Sequence, residues 1–325
     1  MKTKIFNNIF SNTYAQLSLA VAAIGGLISD EIGQGYWVAL LIAGLLFCYA
    51  LYDEKRNIKI YSQMNLPIPI VFNISNPADS KSALTTLFKK LKSEYPNHKE
   101  NLEKHFNIIE NDLIFKYDSD IFNEQRFVDF LKISKHNIKK LEAQTPNNVH
   151  FHIVYIGPIA NAILVGTLFG TEGVTLYQYS KSSNSYDTVL TIDNRIYKEG
   201  IDEFKVIEKK EIGKIGLDVT IAIDMASHKV ALSKLGDNIV HLESKLGATI
   251  NKPEDFIRAN QEIYSVINEL QQDVSKIRLA YSMPVTLGFL LGMSIQNYWN
   301  IEITQYTAGE YKPVMRNLNE IQYYF

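Results

Sequence analysis

Cysteine is almost absent from this chain of 325 residues, and Cys48 stands alone in an apolar run. A single thiol excludes an intrachain disulfide and a cysteine-cluster metal site, and with them a small disulfide-stapled fold. An excess of charge of one sign is missing as well. The 33 Lys and Arg are offset by 35 Asp and Glu, for a formal net charge of -2, so no global field draws the protein to a polyanion. Neither DNA nor RNA polymer is an expected partner, and any phosphate site must be local. Catalytic signatures are lacking too: there is no Gly-x-Gly-x-x-Gly run, no phosphate loop ending in Gly-Lys-Ser or Gly-Lys-Thr, and no His-Glu-x-x-His pair. His150 and His152 lie two apart with no third ligand at metal spacing, which reads as structural. Asp118, Asp120 and Glu124 suit the acidic entry to a helix. No catalytic residue, metal or cofactor is expected.

What is present begins with two uncharged stretches, Ile5 to Ser29 and Ile32 to Tyr52, separated by Asp30 and Glu31. The pattern predicts two transmembrane helices at about 9–28 and 36–52, since about 20 apolar residues span a hydrocarbon core of about 30 Å. Tyr36, Trp37, Tyr49 and Tyr52 would form interfacial belts. The first stretch, diluted by Ser11, Asn12, Thr13, Gln16 and Ser18, also admits a signal-peptide reading, but a second apolar run after a short turn favours a hairpin. Lys2 and Lys4 before the first stretch, and Lys55, Arg56 and Lys59 after the second, place both ends in the cytoplasm. The expected location is therefore the bacterial inner membrane, as a multi-pass protein with the N-terminus and everything after Asp53 cytoplasmic. On that topology Asn73-Ile-Ser75 is not a glycosylation acceptor. Ala22-x-x-x-Gly26 and Ala39-x-x-x-Ala43 would let the spans approach closely.

Beyond a linker at 54–66, β-rich runs alternate with amphipathic stretches, the pattern of an α/β fold. Strands are expected at Ile68–Ile74, Asp112–Tyr117, His150–Gly157, Val174–Tyr179, Leu217–Ile223, Ile239–Leu242, Ile277–Ser282 and Ile301–Tyr306. Helices are expected at Ser82–Tyr95, Asn123–Gln144, from Pro158 to about Phe169, from about Ser227, at Pro253–Asp273 and from Pro284.

Offset by 126 residues, the chain superposes Tyr155 on Tyr281, Pro158 on Pro284, Leu164 on Leu290 and Gly166 on Gly292. Tyr177-Gln178-Tyr179 echoes Thr304-Gln305-Tyr306 one residue later, and the Tyr186 hairpin strand echoes Tyr311. Each copy reads as strand, Pro at helix entry, helix with a central Gly, then a Tyr- and Gln-bearing strand. A strand delivering its chain to a helix N-terminus presents free N–H groups suited to phosphate, and two copies facing each other would enclose a pocket of approximate two-fold symmetry.

These features, from His150-x-x-x-x-Tyr155-x-Gly-Pro158 to the second copy near the C-terminus, resemble a SAVED domain over about Ile68 to Phe325. The resemblance implies two fused CARF-like Rossmann halves, about 67–200 and 201–325, that sense a cyclic oligonucleotide in bacterial anti-phage signalling of the CBASS type. The preceding spans (residues 1–53) resemble those of membrane-fused SAVED effectors. The implied ligand is a cyclic tri- or tetranucleotide, with adenine as the expected base. The implied partners are that ligand, the lipid bilayer and further copies of the chain assembling on ligand binding, with membrane disruption as the output. The implied role is not enzymatic. Two other readings stay open: a ring nuclease that degrades its ligand with a pocket Ser or Lys, and a passive tether recruiting another effector.

By position after the strands, the ligand-facing candidates are Asn73, Ser75, Gly157, Pro158, Asn161, Ser227, Ser282, Met283 and Pro284, with Asp224 the least suited because it would repel phosphate. Each is equally a turn former or helix cap. Gln178, Tyr179, Gln305 and Tyr306 could stack on or hydrogen-bond a base, or serve as ordinary sheet residues.

Overall fold

The computed structural model describes residues 13–28, 35–63, 65–145, 148–170, 172–193, 196–247, 250, 252–296 and 298–324. It divides into two compact units. The first comprises Met1–Leu66, Lys99–Ile108 and Gln144–Asn148; the second comprises Pro67–His98, Ile109–Ala143 and Val149–Phe325.

In the first unit, helix α1 (Thr13–Ile28) packs on α2 (Gly35–Gln63). Small residues make the seam: Ala15 and Ala50 are fully buried against each other, and the rings of Tyr14 and Tyr49 meet edge to face at 4.8 Å. Among the described residues no helix is long and apolar enough to cross a membrane, which does not support the spans expected at 9–28 and 36–52. α1 has 16 residues, about 24 Å at 1.5 Å per residue, short of a hydrocarbon core of about 30 Å. α2 is longer, but its sequence turns polar at Asp53-Glu-Lys-Arg. Residues 9–12 and 29–34, parts of the expected hairpin, lie outside the described residues.

The second unit is built on two mixed sheets, in agreement with the expected α/β class. One has the order β2-β1-β3-β4-β5 and the other β11-β10-β9-β7-β8-β6. The strands of the first are β1 (Leu66–Ile74), β2 (Ile114–Tyr117), β3 (Val149–Ile156), β4 (Gly173–Ser180) and β5 (Ser185–Ile192). The second has β6 (Ile207–Ile212), β7 (Asp218–Asp224), β8 (Ile239–Ser244), β9 (Lys276–Ser282), β10 (Ile301–Thr307) and β11 (Glu310–Met315). The runs β3-β4-β5 and β9-β10-β11 correspond, each with a parallel pair followed by an antiparallel hairpin. The repeat seen in the sequence is thus a repeat of topology. β1 is buried along its whole length, as a run apolar on both faces of a parallel sheet requires.

The remaining helices are α3 (Ser80–Leu91), α4 (His98–Phe106), α5 (Glu124–Gln144), α6 (Ile159–Gly166), α7 (Pro253–Leu270) and α8 (Val285–Ile295); α4 falls almost wholly in the first unit. α5 buries Phe127, Val128, Leu131, Ile138 and Leu141, the three- and four-residue spacing of one helix face. The helix expected from Ser227 does not form. β7 instead reaches β8 through a loop with a single 3-10 turn, Leu232–Lys234. Two contacts hold the chain in that course. The Asp224 carboxylate accepts from the Val230 amide at 2.6 Å, and the Ala231 amide donates to the Tyr311 hydroxyl at 3.0 Å. Another fixed point is Glu262 on α7. It is fully buried, and its carboxylate accepts from the amides of Lys205, Val206 and Ile207 and from Arg258. A row of aromatic contacts, Phe72 with Phe169, Phe151 with Phe169 and Phe169 with Phe289, runs from the first sheet to α8.

Candidate functional site

Pro158 and Pro284 each cap a helix rather than beginning it, with extended backbone at ψ 150 and 143 respectively. The helices they start, α6 and α8, pack face to face. Their contact rests on glycine. A Cβ on Gly166 would stand 2.1 Å from the Phe289 carbonyl oxygen, and one on Gly292 would stand 1.9 Å from that of Ile163. Neither distance admits a side chain, so Gly at both positions is what lets the backbones touch. Gly157, at φ +152, is likewise enclosed, with Ile74 and the Tyr155 hydroxyl 2.9 Å from a notional Cβ.

The crossing carries each helix to the other half's sheet. Thr286, the second residue of α8, donates its hydroxyl to Gln178 Oε1 on β4 at 3.1 Å. In return, the amide of Ala160, the second residue of α6, donates to Gln305 Oε1 on β10 at 3.5 Å. The two glutamines singled out by the sequence are therefore brought to two helix N-termini, reciprocally and across the repeat. Tyr155 and Tyr281 lie beneath. Tyr155 donates to the Pro158 carbonyl at 2.8 Å and Tyr281 to the Thr304 carbonyl. Burial pushes both phenols well above their ordinary value, so both remain donors. Tyr179 faces Tyr186 across one hairpin at 5.6 Å, and Tyr306 faces Tyr311 across the other at 4.9 Å.

Between the first sheet and α8 lies a cavity of about 220 Å³, lined among others by Tyr155, Gly157, Gln178, Val285, Thr286 and Phe289. Ile153 and Tyr155 of β3 and Leu176, Tyr177, Gln178 and Tyr179 of β4 contribute to its lining. His150 and His152 do not: His152 bonds the Tyr177 hydroxyl at 2.8 Å and His150 bonds the Thr175 hydroxyl at 2.8 Å. These histidines are structural. Burial first, then the neighbouring imidazoles, lowers the His152 pKa to about 3. Among the described residues no group of three or more His, Cys, Asp or Glu forms a metal cluster.

The remaining candidates divide. Asn73 is buried and donates to the Ala78 carbonyl and the Ser80 hydroxyl, tying down the entry to α3. Ser75 takes a left-handed φ of 48 and bonds the Ser119 carbonyl at 2.6 Å, bracing the ends of β1 and β2. Asn161 is fully buried in α6 with neither side-chain atom partnered. Ser227 sits exposed on the β7–β8 loop. Ser282 accepts from the Met225 amide through its carbonyl at 2.7 Å, and Met283 is buried. Asp224 is buried against His241 at 2.8 Å, a latch within the second half. Thr286, Val285 and Phe289 line the cavity without having been singled out from sequence. The available signal was one hydroxyl within the apolar opening of α8, Val-Thr-Leu-Gly-Phe. A larger cavity of about 680 Å³ is walled by Asp120, Glu124, Glu320 and Arg316. Three carboxylates to one guanidinium make it ill suited to phosphate.

A family model described as "SAVED: SMODS-associated and fused to various effectors sensor domain" matches residues 134–316, more than half of the chain. Comparison with curated proteins finds no match. Among solved structures the chain is similar to the Cap4 SAVED/CARF-domain containing receptor of Acinetobacter baumannii, at 13% identity and TM-score 0.50, over 90% of this chain and 60% of that one. The same receptor with the cyclic trinucleotide 3'3'3'-cAAA aligns at 14% identity and TM-score 0.49, over 90% and 61%. The Cap4 receptor of Moraxella osloensis aligns at 14% identity and TM-score 0.42, over 90% and 64%. The chain thus spans about three fifths of the length of the receptors it resembles.

Proposed function

This chain belongs to the SAVED family, and we propose that it is a sensor that binds a cyclic oligonucleotide where α6 and α8 meet the two sheets. The observation that carries this reading is the reciprocal pair of contacts, Thr286 to Gln178 and Ala160 to Gln305. It puts two helix N-termini, whose N–H groups favour phosphate, beside two amide side chains able to read base edges. Each half supplies one helix N-terminus and one glutamine to the crossing. The role is binding, and ligand shifts the protein only insofar as it prefers one arrangement of the halves over another.

The output belongs to the α1–α2 hairpin, placed in the bacterial inner membrane with both ends cytoplasmic. Trp37, Leu41, Leu45 and Tyr52 are exposed, each more than 60%, and contiguous apolar surface of this kind marks a contact with lipid or protein. A stretch of this length seats in a bilayer by thinning it or by assembling with other hairpins. Ligand-driven assembly of copies would then disturb the membrane.

Calorimetry of the full-length chain in detergent against cyclic di-, tri- and tetranucleotides, with light scattering on the same samples, tests the sensor. The first ring to try is 3'3'3'-cAAA. A base-selective isotherm with growth in mass supports sensing and assembly; heat-silent titrations across the panel sink the reading. Recovery of the protein in the soluble fraction after cell lysis would remove the membrane part alone.

A further inference from the structure

The two glutamines occupy matching places in the repeat, yet their amides are in different states. Gln305 is engaged at both ends: its Oε1 accepts from the Ala160 amide at 3.5 Å and its Nε2 donates to the Tyr306 carbonyl at 3.4 Å. Gln178 is exposed, and its Oε1 accepts from Thr286, but its Nε2 has no partner among the described residues. It also lines the 220 Å³ cavity. The strands before them differ in the same sense, since Gly157 opens onto that cavity while its counterpart Met283 is a buried side chain.

Size and surface narrow what the cavity takes. Pockets that enclose a whole drug-sized ligand measure about 300–1,000 Å³, so 220 Å³ is too small for a ring of three nucleotides and suits one base. Its walls include the flat rings of Tyr155 and Phe289, which stand 6.5 Å apart and inclined to each other. Its polar side chains are Gln178, Thr286 and four tyrosines, of which Tyr155, Tyr177 and Tyr179 have their hydroxyls engaged by the Pro158 carbonyl, His152 and Asn184. A glutamine amide pairs a donor with an acceptor, the complement of the adjacent N7 acceptor and N6 donor on adenine and a mismatch for guanine, which shows two acceptors on that edge.

We infer that the halves read their ligand unequally: the first holds a single adenine base against Gln178, and the second uses Gln305 as a strut that fixes the start of α6. This deepens the sensor reading and rests on it. The ring is then gripped at one base and carried by its phosphates elsewhere, so a ring with one adenine replaced can still bind in the register that keeps adenine in the cavity.

The test is titration of full-length wild type, Gln178→Ala, Gln178→Glu and Gln305→Ala with 3'3'3'-cAAA, alongside thermal unfolding of each. Gln178→Ala should weaken binding about tenfold or more, the effect of one lost base-edge pair, with little change in unfolding. Gln178→Glu keeps the shape but loses the donor, and should bind as poorly. Gln305→Ala should unfold at lower temperature, and its loss of affinity should be clearly smaller than that of Gln178→Ala. Equal losses from Gln178→Ala and Gln305→Ala, or wild-type affinity in Gln178→Glu, would overturn the unequal reading and leave the sensor standing. Wild type that binds no ring would overturn both.

Discussion

Gly166 and Gly292 face one another across the α6–α8 crossing, each lying 3.1 Å from where the other's Cβ would sit. The contact joins the halves at the level of backbone, with nothing interposed that could repack. A methyl group at Gly292 would meet the Ile163 carbonyl at 1.9 Å, and only parting the helices relieves it. Gly292→Ala should therefore destabilise the protein by about 1–3 kcal/mol, the usual cost of overpacking. Urea unfolding measures it, and an unchanged midpoint would show that the helices separate freely.

Glu262 is a buried carboxylate neutralised by Arg258 and saturated by three backbone amides. Glu262→Ala strands those amides and the guanidinium. A loss of about 3–5 kcal/mol is expected, as for one partner removed from a buried charged network. Folded yield and chemical denaturation report it.

His152 gives a pH signature. Its folded pKa of about 3 lies below the ordinary imidazole value of 6.5 because burial disfavours the charged ring. The unfolded chain takes up a proton near 6.5 and the folded one does not. Stability from this residue is thus complete above pH 6.5 and falls as pH drops from 6.5 toward 3. Burial lowers His98 and His150 in the same direction. Denaturation midpoints of His152→Gln should depend less on pH across that window than wild type. Parallel pH profiles would contradict the assignment.

Replacing Leu41 and Leu45 with glutamate alters two exposed positions on α2. If the hairpin contacts lipid, the double variant should leave the membrane fraction while keeping wild-type nucleotide affinity. Retention in membranes would transfer the anchoring elsewhere in the chain.

Much of this architecture could be read in advance because the repeat left marks that physics enforces. Pro158 and Pro284 stand at helix entries and Gly166 and Gly292 where backbones touch, so an offset of 126 located the crossing of α6 and α8. The β6 strand, Ile-Glu-Lys-Lys-Glu-Ile, was not legible. It is an edge strand paired only to β8, and its charges suit solvent more than a core. The absent helix after Asp224 was illegible for another reason. Its loop is fixed by Tyr311, eighty residues downstream, and no local pattern carries that information. Among the site candidates, Gln178 and Gln305 sit at helix starts, whereas Asn73, Ser75 and Asp224 turned out to brace the strands they end. Residues after strands do both jobs, and only the partner distinguishes them.

α8 has a bearing on how the protein is made. Ten of its eleven residues, Thr286 to Ile295, are buried, and its place is against α6, synthesised more than a hundred residues earlier. While the ribosome is still working toward position 285, the α6 surface stands uncovered, and the first half must wait with an apolar face open to water. Emergence of α8 then closes both halves together. A chaperone that shelters α6 in that interval, or a truncated transcript that never delivers α8, would decide between a native molecule and an aggregate.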